Sequence, residues 1–209
     1  MYDLEGNTWL RVNSPREVTI GITALLVAIA GKLTSARLRS MGNMVQRGRS
    51  LGTLEGLKFV GPIPSPVSGI IRSTNPLAGR DPRLLSNSPY EQGWIVKVLP
   101  YALDGERHFL STAGSAAKVL GEKIVTYRAR CFKAFPDHAM VEIGTECSGV
   151  LAKLNELLAT ISDGDAVHLV SDDPTAYVEM VRWTEQTGNS LVEWRTEGSL
   201  FHFIVRKTR

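Results

Sequence analysis

Apolar and polar positions alternate in short runs through the first hundred residues. From Trp9 to Val98, β-branched runs such as Val18–Ile22 (VTIGI) and Trp94–Val98 (WIVKV) recur between Gly, Pro and Asn, which predicts the strands of an all-β barrel or sandwich. From about Arg107 to Phe132 the period lengthens. Phe109, Leu110, Ala113, Ala117, Leu120 and Ile124 fall at helical spacings, predicting a capping or linking helix. The pattern breaks at Phe135-Pro136-Asp137, because proline restricts the residue before it and seldom continues a helix. A domain boundary is placed there, giving domains 1–135 and 136–209. In the second, Ala139–Ile143 alternates as a strand, and Val150, Leu151, Leu154, Leu157 and Leu158 mark one face of a helix. A turn at Ser162–Asp165 leads to a strand at Ala166–Val170, and Pro174 opens a second helix carrying Tyr177, Val178, Val181 and Trp183. Leu191–Arg195 and Phe201–Arg206 flank Glu197-Gly198 as a hairpin. The expected class is α+β: an N-terminal β-barrel or sandwich followed by a two-layer βαβαββ domain.

Length and composition agree with two folded domains, at 209 residues with 43% hydrophobic and 22% charged content. The longest apolar stretch, Ile20–Ala30, is interrupted by Thr23 and falls well short of the roughly 20 residues of a bilayer-spanning helix. The residues before it carry Asp3, Glu5 and Glu17 beside Arg11 and Arg16, unlike the short basic lead of a signal peptide. No membrane span is expected. Two cysteines, Cys131 and Cys147, do not make a disulfide scaffold, and a reduced, cytoplasmic setting is expected. The net charge of +3 hides a division, since residues 137–209 hold 6 Lys/Arg against 12 Asp/Glu and residues 1–136 hold 18 against 9. The basic run Lys32, Arg37, Arg39, Arg47 and Arg49 lacks the interleaved aromatics on which single-stranded nucleic acids stack, so it reads as a solvated face and no nucleic-acid partner is expected.

A carrier lysine must be exposed to a modifying enzyme while the backbone beneath it stays rigid. In Leu54–Ile71, Lys58 lies between hydrophobic runs, followed by Gly61 and by prolines at 62, 64 and 66 that stiffen the returning strand and confine it to an edge. Around this segment the chain resembles the H protein of the glycine cleavage system over roughly residues 8–100. VTIGIT at 18–23 resembles that family's early strand. Glu55, Lys58, Pro66, Val67, Ser68 and Gly69 stand at its spacing around the modified lysine, and Asn75, Pro82, Leu84, Pro89, Tyr90, Gly93 and Trp94 match its downstream pattern. The resemblance implies lipoate attached covalently to Lys58, with Glu55 assisting recognition by a lipoyl-attaching enzyme. The bland reading of Lys58 and Glu55 is surface charge. Asn75, Pro82, Pro89, Tyr90 and Gly93 read as loop and packing residues, and Trp94 as core. Two segments depart from the family: Phe59–Ser65 (FVGPIPS) is more apolar and proline-rich, and the Arg-rich stretch 37–49 replaces an often acidic one.

Cys147 falls between the first strand and first helix of the second domain, where free N–H groups stabilise a thiolate while Glu146 opposes it. By composition alone such a cysteine reads as a small buried hydrophobe. Residues 138–207 resemble the TusA/SirA sulfur-carrier family in their βαβαββ order, in Cys147 before the first helix, in Asp172-Asp173-Pro174 and in the closing strand FHFIVRK. The resemblance implies a sulfur carrier with Cys147 as a candidate persulfide site, although the family's Cys-Pro-x-Pro stands here as Cys147-Ser148-Gly149-Val150. Asp172 and Asp173 read as helix caps and Cys131 as structural. His108, His138, His168 and His202 lack the spacings of a zinc site, so no metal is expected, and the glycines form no nucleotide-binding fingerprint.

The function expected from these residues is that of a non-catalytic lipoyl carrier in sulfur metabolism. Its partners would be heterodisulfide-reductase-like or dihydrolipoyl dehydrogenase-type enzymes and sulfurtransferases. The alternatives are an H-type carrier of aminomethyl groups and an unmodified docking module.

Overall fold

The computed structural model describes residues 1–208. The chain divides into two compact units, Met1–Cys131 and the residues from Phe132 onward.

The first unit runs β1 (Tyr2–Asp3), β2 (Thr8–Ser14), β3 (Glu17–Ile22), α1 (Ala24–Ala30), β4 (Leu33–Leu38), β5 (Met44–Val45), β6 (Ser50–Gly56), β7 (Val60–Pro64), β8 (Gly69–Thr74), α2 (Pro76–Arg80), α3 (Arg83–Asn87), β9 (Trp94–Pro100), α4 (Leu103–Glu106) and α5 (Ala113–Thr126). Six strands form one sheet in the order β1-β2-β3-β9-β8-β5, and three form another in the order β4-β6-β7. Both supply the core: Val18, Ile20, Ile71, Val96 and Val98 from the larger sheet, and Leu33, Leu51, Leu54 and Ile63 from the smaller. The alternation that predicted strands thus places their apolar residues on the enclosed faces.

Three helices interrupt the stretch expected to be all strand. In the apolar run Ile20–Ala30, the change comes at Thr23, whose hydroxyl accepts from the Leu26 N–H at 3.3 Å and caps α1. Asn75 does the same for α2, accepting from Leu77 N–H at 3.1 Å ahead of Pro76. Read as loop punctuation, Asn75 starts a short helix, because a side-chain acceptor followed by proline suits a helix N-terminus as well as a turn. α3 follows directly.

The helix expected over Arg107–Phe132 is shorter, since Arg107–Phe109 forms a 3-10 turn and α5 begins at Ala113. Its buried residue is Ala116 rather than Ala117. Phe109 is exposed and lies under the Arg47 guanidinium, 3.8 Å from the ring. Trp94, expected in the core, is half-buried with the Lys97 ammonium over its ring. Trp9 is the tryptophan buried in this unit, packed where Gly21 leaves no Cβ in its way and donating to the Pro89 carbonyl at 2.9 Å.

The second unit is β10 (His138–Glu142), α6 (Cys147–Thr160), β11 (Ala166–Ser171), α7 (Ala176–Thr187), β12 (Ser190–Glu197) and β13 (Leu200–Arg206). The sheet order is β10-β11-β13-β12, with β10 and β11 parallel and the other pairs antiparallel. This is the expected βαβαββ order. Val150, Leu154 and Leu158 of α6 pack with Met140, Val167, Leu169, Phe203 and Val205 of the sheet. On α7 the buried residues are Ala176, Met180 and Trp183, while Tyr177 and Val178 are exposed. The helix forms as expected; of the apolar residues that marked it Trp183 is buried, and Ala176 and Met180, at i, i+4 spacing, complete the inward face. Ala166 and Ile204 pack instead with Ala134 and Phe132 of the segment before β10.

Candidate functional site

The β6–β7 hairpin carries Lys58 at its tip. Glu55 pairs with Val60 across the hairpin and with Ser35 on β4, and the Gly56 N–H closes the turn on the Phe59 carbonyl at 2.8 Å. Two further backbone bonds hold the tip from below, from Leu57 N–H to the Lys32 carbonyl and from Lys58 N–H to the Ala30 carbonyl, both 3.0 Å. Such close approach requires glycine: a Cβ on Gly56 would lie 2.5 Å from the Ala30 carbonyl oxygen. Gly31 has φ of 73°, and the aliphatic stem of Lys58 passes beside it. On the returning strand, Phe59 folds over Gly61, where a Cβ would meet the ring at 2.5 Å. Pro62 and Pro64 sit on β7, an edge strand of its sheet, as their missing N–H groups demand.

The backbone of Lys58 is therefore fixed and its side chain free. Lys58 is exposed, with no hydrogen bond or ion pair to its ammonium among the described residues. Leu57 and Val60 beside it are 72% and 71% exposed, so nothing of this unit shields the amine. Glu55 is half-buried on the outer face of β6, three residues before Lys58. A primary amine with an open approach on a rigid turn suits amide formation with a carboxylic acid such as lipoate. Asn75, Tyr90 and Gly93 hold the scaffold together: the Asn75 amide donates to the Gln92 and Trp94 carbonyls, and the Tyr90 hydroxyl accepts from Ala24 N–H.

Cys147 is the first residue of α6 and only 7% exposed. Asp173 accepts its backbone N–H at 2.8 Å and also takes the N–H and hydroxyl of Thr175. Asp172 accepts from the Gly144 N–H at 2.8 Å. Asp173 thus satisfies N–H groups at the starts of both α6 and α7, through Cys147 and the N-cap Thr175, while Asp172 serves the loop leading into α6. Burial raises the Cys147 thiol pKa above its ordinary value, and the carboxylates of Asp173 and Glu179 raise it further. Both effects oppose the helix N-terminus, whose first N–H is already bonded to the Asp173 carboxylate. The expected opponent, Glu146, stands as N-cap without a side-chain cap bond. Cys131 is exposed.

Reading the histidines by sequence spacing missed their pairing. His168 on β11 and His202 on β13 meet at 2.9 Å with rings stacked 5.1 Å apart, because antiparallel register brings together residues 34 apart in sequence. Phe132 lies tilted against His168 with ring centroids 4.7 Å apart, and the Arg195 guanidinium lies 4.3 Å from the Phe132 ring. Among the described residues, no group of three or more His, Cys, Asp and Glu is placed to hold a metal ion. Among the described residues no helix is long and apolar enough to cross a membrane.

Comparison with known proteins gives two family matches, the glycine cleavage H-protein over residues 1–123 and sulfurtransferase TusA over residues 143–207. Glycine cleavage system H protein 2 of Aquifex aeolicus is 33% identical over 130 residues, covering 62% of this chain and 81% of its own length. A probable glycine cleavage system H protein 2 of Sulfurisphaera tokodaii is 35% identical over 133 residues, covering 63% and 89%. A crystal structure of a glycine cleavage system H protein from Mycobacterium marinum aligns at 29% identity and a TM-score of 0.49, covering 56% of this chain and 92% of that one.

Proposed function

The chain belongs to the glycine cleavage H-protein family, whose members carry covalent lipoate on a lysine, and from that membership we propose that Lys58 is the attachment residue of a lipoyl carrier working in sulfur metabolism. The observation that carries the reading is the exposed, unpartnered amine on a hairpin tip whose backbone is tied to Ala30 and Lys32. When attached, lipoate supplies a disulfide that opens to two thiols at the end of a long arm. The protein's own part is to hold the amide-bearing residue in one shape, with Glu55 on the same hairpin for the attaching enzyme to recognise. No residue of the first unit is assigned to bond making or breaking, and the chain is read as a carrier, not an enzyme.

The sulfur assignment rests on the TusA-type domain. Cys147 is its persulfide site in this reading. The Cys147 thiolate attacks the outer sulfur of a donor persulfide, forming Cys147-S-SH and releasing the donor thiol, with no net change of electrons. A raised thiol pKa makes the resting thiol protonated at neutral pH, so loading depends on a donor that removes the proton on docking. Partners of this chemistry are sulfurtransferases for Cys147, and heterodisulfide-reductase-like or dihydrolipoyl dehydrogenase-type enzymes for the arm, in the cytoplasm.

The names of the relatives favour a second reading, a carrier of aminomethyl groups in glycine cleavage. Intact mass after expression in a lipoate-fed host tests the shared premise. The wild type gains one lipoyl group, Lys58→Arg gains none, and an unmodified wild type in a competent host removes both readings. Loading assays then separate them, since glycine-dependent loading by glycine decarboxylase supports the second, and sulfur acceptance without it supports the first.

A further inference from the structure

The outer face of the β4-β6-β7 sheet has a composition that presenting Lys58 does not require. Register places Ser35, Glu55 and Val60 in one row across it, and Arg37, Thr53 and Pro62 in the next. Leu57 and Val60 are among the most exposed large apolar residues of the unit, and they stand directly beside the carrier lysine. Arg37 on the second row, Arg39 just after β4 and Arg49 just before β6 are all exposed. Arg80, at the end of α2, is exposed too, and α2 packs against β4. Against these cations the sheet itself sets one acid, Glu55. None of Arg37, Arg39, Arg49 and Arg80 has an ion-pair partner among the described residues.

Exposed apolar residues with unpaired cations along the same sheet have the anatomy of a protein interface, with an apolar centre and a charged rim. Unpaired like charges repel one another and gain from an opposite surface, which also speeds encounter. Bases have nothing to stack on here, because the row holds Val60 and Pro62 and the nearby ring, Phe59, is folded over Gly61. We infer that this face is the docking surface for an acidic protein, the one that reacts with the group carried on Lys58. Resting on the carrier reading, the inference adds to it the chemistry of the partner. Arg37 and Arg39 meet carboxylates, and Leu57 and Val60 form the dry centre.

The test uses the full-length chain, isotope-labelled and followed by amide chemical shifts, titrated with a glutamate-rich peptide as the acidic probe. Shifts are expected on Arg37, Thr53, Glu55, Leu57 and Val60, shrinking as salt is raised. Arg37→Glu with Arg39→Glu is expected to weaken binding about tenfold by turning attraction into repulsion. Arg37→Gln, milder at an exposed site, is expected to weaken it less. Val60→Asp is expected to weaken it with the cations intact. Shifts scattered over the other basic segments, or unaffected by the arginine variants, overturn the face. An RNA oligonucleotide or an anionic lipid vesicle engaging the same amides more tightly than the peptide overturns the partner class. Intact mass in parallel keeps the two readings apart: complete lipoylation without peptide binding sinks the docking face alone, and binding without lipoylation sinks the carrier reading alone.

Discussion

At the scale of single residues, Cys147 and Asp173 form one electrostatic unit. Asp173 is held below the usual carboxylate range by the hydroxyl and N–H of Thr175 and then by the N–H of Cys147. A depressed folded-state pKa stabilises the fold above the unfolded value of about 3.9, and the contribution is lost as pH falls through the lowered value. Acid titration of the second unit should therefore show the Cys147 amide losing hydrogen-exchange protection below that range, and unchanged protection down to the lowest pH would contradict the bond. The thiol moves the other way. Iodoacetamide labelling of Cys147 should reach half its maximal rate above the ordinary thiol value of about 8.5. Asp173→Asn, which keeps an acceptor for the N–H but removes the charge, should bring that midpoint down, as should Glu179→Gln. A midpoint at or below the ordinary value in the wild type would mean that the helix N-terminus dominates after all.

At the scale of elements, the β6–β7 hairpin works because its tip is tied to the end of α1 and the start of β4. Gly56→Ala forces a Cβ to within 2.5 Å of the Ala30 carbonyl oxygen, which should cost about 1–3 kcal/mol as overpacking. Denaturant unfolding should show that loss, and the lipoylation rate should fall although Lys58 is intact. A destabilised variant modified at the wild-type rate would show that the enzyme does not need this backbone shape. Lys58, Gly61 and the edge prolines were compatible beforehand with a hairpin tip, which the structure supplies as the β6–β7 turn. Its anchoring was not legible, because the Ala30 and Lys32 carbonyls lie more than twenty residues away and carry no residue-type signal. The inward face of α7 was not legible for a related reason: a residue's size says how much it gains from burial, while the sheet beneath selects which residues receive it.

At the scale of the whole molecule, each unit has its own core. Phe203, fully buried between α6, α7 and the sheet, should cost about 3–5 kcal/mol when replaced by alanine. That loss should fall on the second unit's unfolding, followed by its own probe Trp183, while lipoylation of Lys58 persists. Loss of lipoylation in Phe203→Ala would show that the two units do not fold independently.

The sequence by itself determined the strand-rich first unit, the βαβαββ order of the second, and the two residues proposed for carrier chemistry, Lys58 and Cys147. Alternation, glycine and proline are local signals, and the chain carries them in full. Only the tertiary structure decided what surrounds those residues: the carbonyls under Lys58, the carboxylates that push the Cys147 thiol up, and the meeting of His168 with His202. These depend on strand register and helix phase, which are settled by packing between residues far apart in the chain.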